Sequence, residues 1–211
     1  MNFSDLTLLI NLFTLIAAIF ASLYYKYYRE SKEKYFLHFL WYTVITDTLG
    51  IYSVYYLKEN WIVIYLVFVI VSFLFYFYWF HEILKSEKQK KIIKIFSILF
   101  ICLSIYNLST SSLYNFHFTT FIFGAIINIV ISIFFFSQLL SDTTKIDVKE
   151  NMQFWIATGL LLFNVGMVPI MIFSDLFNAY DQVRIIIFII LNFILYSCYT
   201  ISFLWSKKEK S

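Results

Sequence analysis

Glycine, proline, cysteine and charge are all scarce in this 211-residue chain. Four Gly and one Pro exclude the Gly-rich loops that cradle phosphates, and neither GxxxxGK nor GxGxxG occurs. The two cysteines, Cys102 and Cys198, lie far apart inside apolar runs. They form no CxxC metal or redox pair, and no disulfide framework is implied. Charged residues make up 14%, against about 25% in an average soluble domain. With 61% hydrophobic and 23% aromatic residues, the chain lacks a polar skin to cover a core. A water-soluble globule and a disordered chain are both excluded. An integral membrane protein remains.

What is present is a series of long apolar runs. A bilayer core needs about 20 mostly apolar residues per helix. Seven such spans are predicted, at residues 5–25, 36–57, 61–84, 92–109, 118–140, 152–174 and 184–205. The runs are too long and too continuously apolar for barrel strands of about 10 residues. The fold class is therefore all-α: a single polytopic domain over residues 1–211, a seven-transmembrane-helix bundle. The fourth span is the shortest and ends in polar residues. The predicted connections, 26–35, 58–60, 85–91, 110–117, 141–151 and 175–183, are too short to hide a ligand-binding or catalytic domain.

Basic residues set the expected direction. Fourteen of the 16 fall at one end: Lys26, Arg29, Lys32 and Lys34; Lys85, Lys88, Lys90, Lys91 and Lys94; Lys145 and Lys149; Lys207, Lys208 and Lys210. Only Lys58 and Arg184 fall at the other. Seven spans with the N-terminus outside and the C-terminus inside give this split, and an even number of spans would spoil it. Positive charge follows the first apolar run rather than preceding it, so this run is expected to be a retained helix and not a cleaved signal. Heavy use of Phe, Ile, Tyr, Lys and Asn points to an AT-rich bacterial genome. The expected location is the bacterial cytoplasmic (inner) membrane.

Polar groups inside a membrane are functional candidates because they cost energy unless partnered. Asp47 lies about 16 Å from the cytoplasmic start of the second span at 1.5 Å per residue. Asn128, Asn164 and Asn192 reach similar depth on the fifth, sixth and seventh spans. Together they form a candidate intramembrane polar cluster for a ligand, proton or ion. The competing reading is interhelical hydrogen bonding, worth about 0.6–2 kcal/mol per contact. On the cytoplasmic face the candidates are His38, His81, Glu82, Lys88, Lys90 and Lys91. His81 and Glu82 are adjacent, so their side chains are expected to point about 100° apart and not face each other. Glu82 is expected to pair with Lys85. Ser174 and Asp175 read as the polar stop of the sixth span, and Trp61, Trp155 and Trp205 as interface anchors. No catalytic set, metal site or cofactor is expected. The last span has no internal lysine for a retinal Schiff base, HExxH does not occur, and neither arginine opens an R-x4–6-H motif.

Three stretches carry a resemblance: KYFLHFLWYTVITDTLGIY at 34–52, FWIATGLLLFNVGMVPIMIF at 154–173 and LNFILYSCYTISFLW at 191–205. With them the chain resembles a family of small seven-helix membrane proteins of Bacteroidetes. The resemblance implies a compact bundle without a known active site, similar to membrane partners of two-component histidine kinases that lack sensing domains. Asp47, Phe154, Trp155 and Asn192 match the pattern, with no roles attached. In size and composition the chain is also similar to the membrane accessory proteins of type VI-B CRISPR systems, which modulate RNA-targeting antiphage immunity. Ser174-Asp175 followed by Ala179 is similar to the SD segment of lysoplasmalogenases. Those have eight helices and a GD pair, whereas Asp47 here follows Thr46.

The leading expectation is a non-enzymatic membrane regulator, sensor or accessory module in two-component-type signalling. It would sit in the lipid bilayer and act through a cytoplasmic protein partner, with self-association left open and no direct nucleic-acid binding. The alternatives are a membrane accessory or pore-type effector of CRISPR immunity, and a membrane lipid hydrolase.

Overall fold

A computed structural model describes residues 3–53, 62–110, 113–141, 150–173 and 182–207, without the side chains of 3–7, 62 and 113–117. Lys58, Asn60, Trp61, Lys145, Asp147, Lys149, Ser174, Asp175, Ala179, Asp181, Lys208 and Lys210 lie outside the described residues. So do the side chains of Asp5, Asn115 and His117. The architecture is all-α. Seven helices follow one another: α1 (Phe3–Tyr28), α2 (Phe36–Tyr52), α3 (Ile62–Ile83), α4 (Glu87–Thr110), α5 (Leu113–Ser141), α6 (Met152–Ile172) and α7 (Gln182–Trp205). Six are long and apolar enough to cross a membrane. The seventh, α2, has 17 residues, or about 25 Å of helix.

Each helix packs on the next in the order α1, α2, α3, α5, α6, α7 and back to α1, while α4 lies outside this ring against α3 and α5. Aromatic side chains fill the interior. Phe36 meets Phe75, Trp79 and Tyr199 edge-on, with ring centroids 5.0, 5.2 and 5.7 Å away. Such edge contacts are each worth about 0.5–1.5 kcal/mol beyond area burial. The outer face is apolar as well. Leu8, Leu12, Ile16, Ile19 and Leu23 stand exposed along α1, and Ile95, Ile98, Ile105 and Leu108 along α4. A surface of this kind suits lipid, because no polar face is left for water.

Close approach of α6 and α7 rests on two glycines. A Cβ on Gly159 would stand 2.8 Å from Cys198 Cβ, and one on Gly166 would run into the Leu191 side chain. Small residues at a helix interface let backbones approach, which substitutes for the missing hydrophobic drive in lipid.

Several boundaries differ from the sequence reading. A short 3-10 helix (Lys32–Tyr35) occupies the first connection, started by Ser31, whose side chain accepts from the Glu33 N–H. The third connection shrinks to residues 84–86, and Lys88, Lys90 and Lys91 join Lys94 on the first turns of α4 rather than lying in a loop. The Ser86 carbonyl accepts from the Lys90 N–H at 3.0 Å. Glu87 in the first turn suits the positive end of the helix dipole and pairs with Lys90 at 2.8 Å. The polar end of the fourth span also stays helical. Ser109 and Thr110 both donate to the Tyr106 carbonyl at 2.8 Å, so their hydroxyls are satisfied without leaving the helix.

Candidate functional site

Asp47 sits on α2 and is half-buried. Its carboxylate lies close enough to Tyr65 of α3 and Tyr196 of α7 to act on both hydroxyls electrostatically. Tyr196 in turn interacts with Tyr76 of α3 and Thr14 of α1. The Tyr199 hydroxyl donates to Tyr76 Oη at 3.3 Å. Beside this group, Asn11 Nδ2 of α1 donates to Thr48 Oγ1 at 3.2 Å. Four helices thus bring one acid and four tyrosines within electrostatic reach of one another, with Tyr76 and Tyr199 hydrogen-bonded. Such a cluster can hold a proton or a small polar ligand near Asp47, because the hydroxyls both donate and accept.

Asn128 and Asn164 stand on α5 and α6, which contribute nothing to this group, while Asn192 stands on α7 one turn before Tyr196. Asn164 Nδ2 donates to the Leu160 carbonyl at 2.7 Å, and Asn192 Nδ2 to the Phe188 carbonyl at 2.8 Å. Both bonds return to the residue four positions back on the same helix. Asn128 is fully buried, and among the described residues neither its Nδ2 nor its Oδ1 has a partner; Asn164 Oδ1 also lacks one there. Among the described residues, no hydrogen bond links Asp47 to any of the three. The tyrosines are the part the sequence reading missed. It gave no tyrosine a place in the cluster, yet Tyr196 and Tyr199, three apart on α7, are a helix-face pair well inside the span.

At the basic end the structure ties separate connections together. Gln153 Nε2 of α6 donates to Glu33 Oε1 at 2.8 Å, and Glu33 is buried. Lys32 Nζ donates to the Glu82 carbonyl at the end of α3. The Lys85 N–H donates to Gln138 Oε1 of α5 at 2.6 Å. Tyr28 stacks at a tilt on Phe203, 5.2 Å between centroids, adding the ends of α1 and α7. Five helix ends therefore meet at one end of the bundle, as alternating up and down helices require. Asn151 caps α6 by accepting from the Phe154 N–H at 3.1 Å.

His81 and Glu82 do face each other, with Nδ1 3.3 Å from Oε1. Both residues lie in the last turn of α3, and the 100° offset between neighbours does not keep these two long side chains apart. Lys90 is engaged by Glu87. Lys88 and Lys91 are exposed and make no ion pair among the described residues. His38 stands exposed on the first turns of α2, in a cleft shared with α3. Phe154 and Trp155 pack edge to face at 5.6 Å. Among the described residues, no group of three or more His, Cys, Asp or Glu is placed to hold a metal ion.

Compared with protein-family models, curated proteins and solved structures, the chain matches none. The resemblances noted above rest on the quoted stretches alone.

Proposed function

We propose that this protein is a non-enzymatic membrane regulator or sensor module, with the basic end in the cytoplasm and α2 as a seventh span. It acts on a cytoplasmic partner in the manner of two-component signalling. The observation that carries this reading is the construction of the basic end. Buried Glu33 with Gln153, Lys32 with Glu82, and Lys85 with Gln138 join the first connection, α3, α5 and α6 into one plate. Beside it Lys88 and Lys91 are exposed, with no ion pair among the described residues. A rigid plate with exposed cations suits docking of an acidic protein surface. The Asp47 cluster reaches four helices of the same bundle, so a change of its occupancy or protonation would bear on their packing. That makes it the input of the proposed module.

A photo-crosslinker at position 91 in cells tests the proposal, with one at position 108, near the other end of α4, as comparison. The reading expects a discrete adduct with a soluble protein from position 91 and none from position 108. Adducts of equal yield from both, or from neither, would overturn it. Asp47→Asn, nearly equal in volume, should alter signalling output while leaving adduct yield unchanged.

A further inference from the structure

Between α2 and α3 a cleft of about 580 Å3 opens on the outside of the bundle. Its floor is apolar: Phe39 and Phe75 stack almost parallel at 4.3 Å. Its deep end is formed by Tyr42 and Val71. Val71 lies twelve residues from the end of α3, about 18 Å into the bundle at 1.5 Å per residue. The mouth lies at the basic end. There Tyr35 meets Tyr78 edge-on at 6.2 Å, and Lys34 Nζ stands 4.9 Å from the Tyr35 ring centroid. His38 lines the cleft one turn further in.

The charge set against the tyrosine rim of this mouth is the Lys34 ammonium. The first turn of α2 has no acidic residue. Glu33, the nearest acid in sequence, is turned inward onto Gln153. Glu82 is engaged by His81 and lies at the end of α3. The cleft therefore runs from a cationic, tyrosine-framed rim at headgroup level to an aromatic and aliphatic slot at acyl-chain depth.

We propose that this cleft binds an anionic phospholipid, with one acyl chain along Phe39, Phe75 and Val71 and the phosphate held by Lys34 and His38. Basic pockets between membrane helices select anionic headgroups by the same complementarity. A zwitterionic lipid presents the same phosphate with a compensating ammonium, which Lys34 repels. The site stands whether or not the protein has a soluble partner.

The test uses the full chain in nanodiscs of phosphatidylcholine with phosphatidylglycerol, followed by native mass spectrometry of the lipids kept after detergent extraction. The wild type should keep phosphatidylglycerol in preference to phosphatidylcholine. K34Q/H38Q should lose that preference by about fivefold for the lysine alone. V71W, which fills the slot from the lipid side, should lose retention of both lipids. K88Q/K91Q, at the same end but on α4, should keep the wild-type preference. Equal retention of the two lipids by the wild type overturns the proposal. So does an unchanged preference in K34Q/H38Q, unchanged retention in V71W, or an equal loss in K88Q/K91Q, which would reduce the effect to diffuse surface charge.

Discussion

Gln153 donates to Glu33 across 120 positions of sequence, at 2.8 Å, and so fastens the 3-10 helix of the first connection to the start of α6. Glu33 is only 3% exposed, so its carboxylate depends on this donor. Gln153→Leu leaves a buried acceptor without its partner and should cost about 1–3 kcal/mol. Glu33→Gln keeps the acceptor oxygen and should cost less. Thermal unfolding in detergent, followed by tryptophan fluorescence, ranks the two. A Gln153→Leu protein with the wild-type midpoint would contradict the role given to this contact.

The α6–α7 contact makes a second ranking. A side chain on Gly159 meets Cys198 Cβ and, at 3.3 Å, the Leu195 carbonyl oxygen, neither of which can move without the helix. On Gly166 it meets only the Leu191 side chain, which can rotate. Overpacking of this kind costs about 1–3 kcal/mol, with Gly159→Val above Gly166→Val. Gly50 has nothing within 4 Å of an added Cβ, so Gly50→Ala should stabilise α2 by up to about 1 kcal/mol. Midpoints in the order Gly50→Ala, wild type, Gly166→Val, Gly159→Val are expected from the same unfolding assay.

The helices were legible because their apolar runs are long and few polar residues interrupt them. Their ends were less so. Lys88 to Lys91 read as loop because charge was taken to mark it, whereas a helix that emerges from the apolar layer continues through lysines at little cost. The site was legible only in part. Asp47 stands out in any apolar run, but its neighbours Tyr65, Tyr76, Tyr196 and Tyr199 come from helices whose rotation the sequence does not state. The apolar residues surround each helix on all sides, so no amphipathic stripe tells which face turns inward.

Asn128 offers a third test. Both its amide atoms are buried without partners among the described residues, a burden of about 1–3 kcal/mol by the usual cost of an unsatisfied group. Asn128→Leu, which keeps the number and branching of the side-chain heavy atoms, should raise the unfolding midpoint. Asn164→Leu should gain less, because it also forfeits the bond to the Leu160 carbonyl. A lower midpoint for Asn128→Leu would show that this amide has a partner, such as an internal water.

Direction in the membrane is open to reporter fusions. Fusions at Glu33, Glu87 and the C-terminal tail should report the cytoplasm, and those at Asn60, Asn115 and Asp181 the outside. A tail reported outside would contradict the seven-span reading and, with it, the cytoplasmic placement of the basic end.

Partner binding by the charge-neutral variant K88Q/K90Q/K91Q is the most direct measurement of the proposed docking face. Topology and abundance are verified first, since lysines also direct insertion. With both normal, the account predicts several-fold weaker binding of the cytoplasmic partner. It also predicts that raised salt weakens the wild type in the same way, because exposed charges are screened over about 8–10 Å. Full partner binding and full activity in cells by the variant would reduce these lysines to a topology signal and contradict the account.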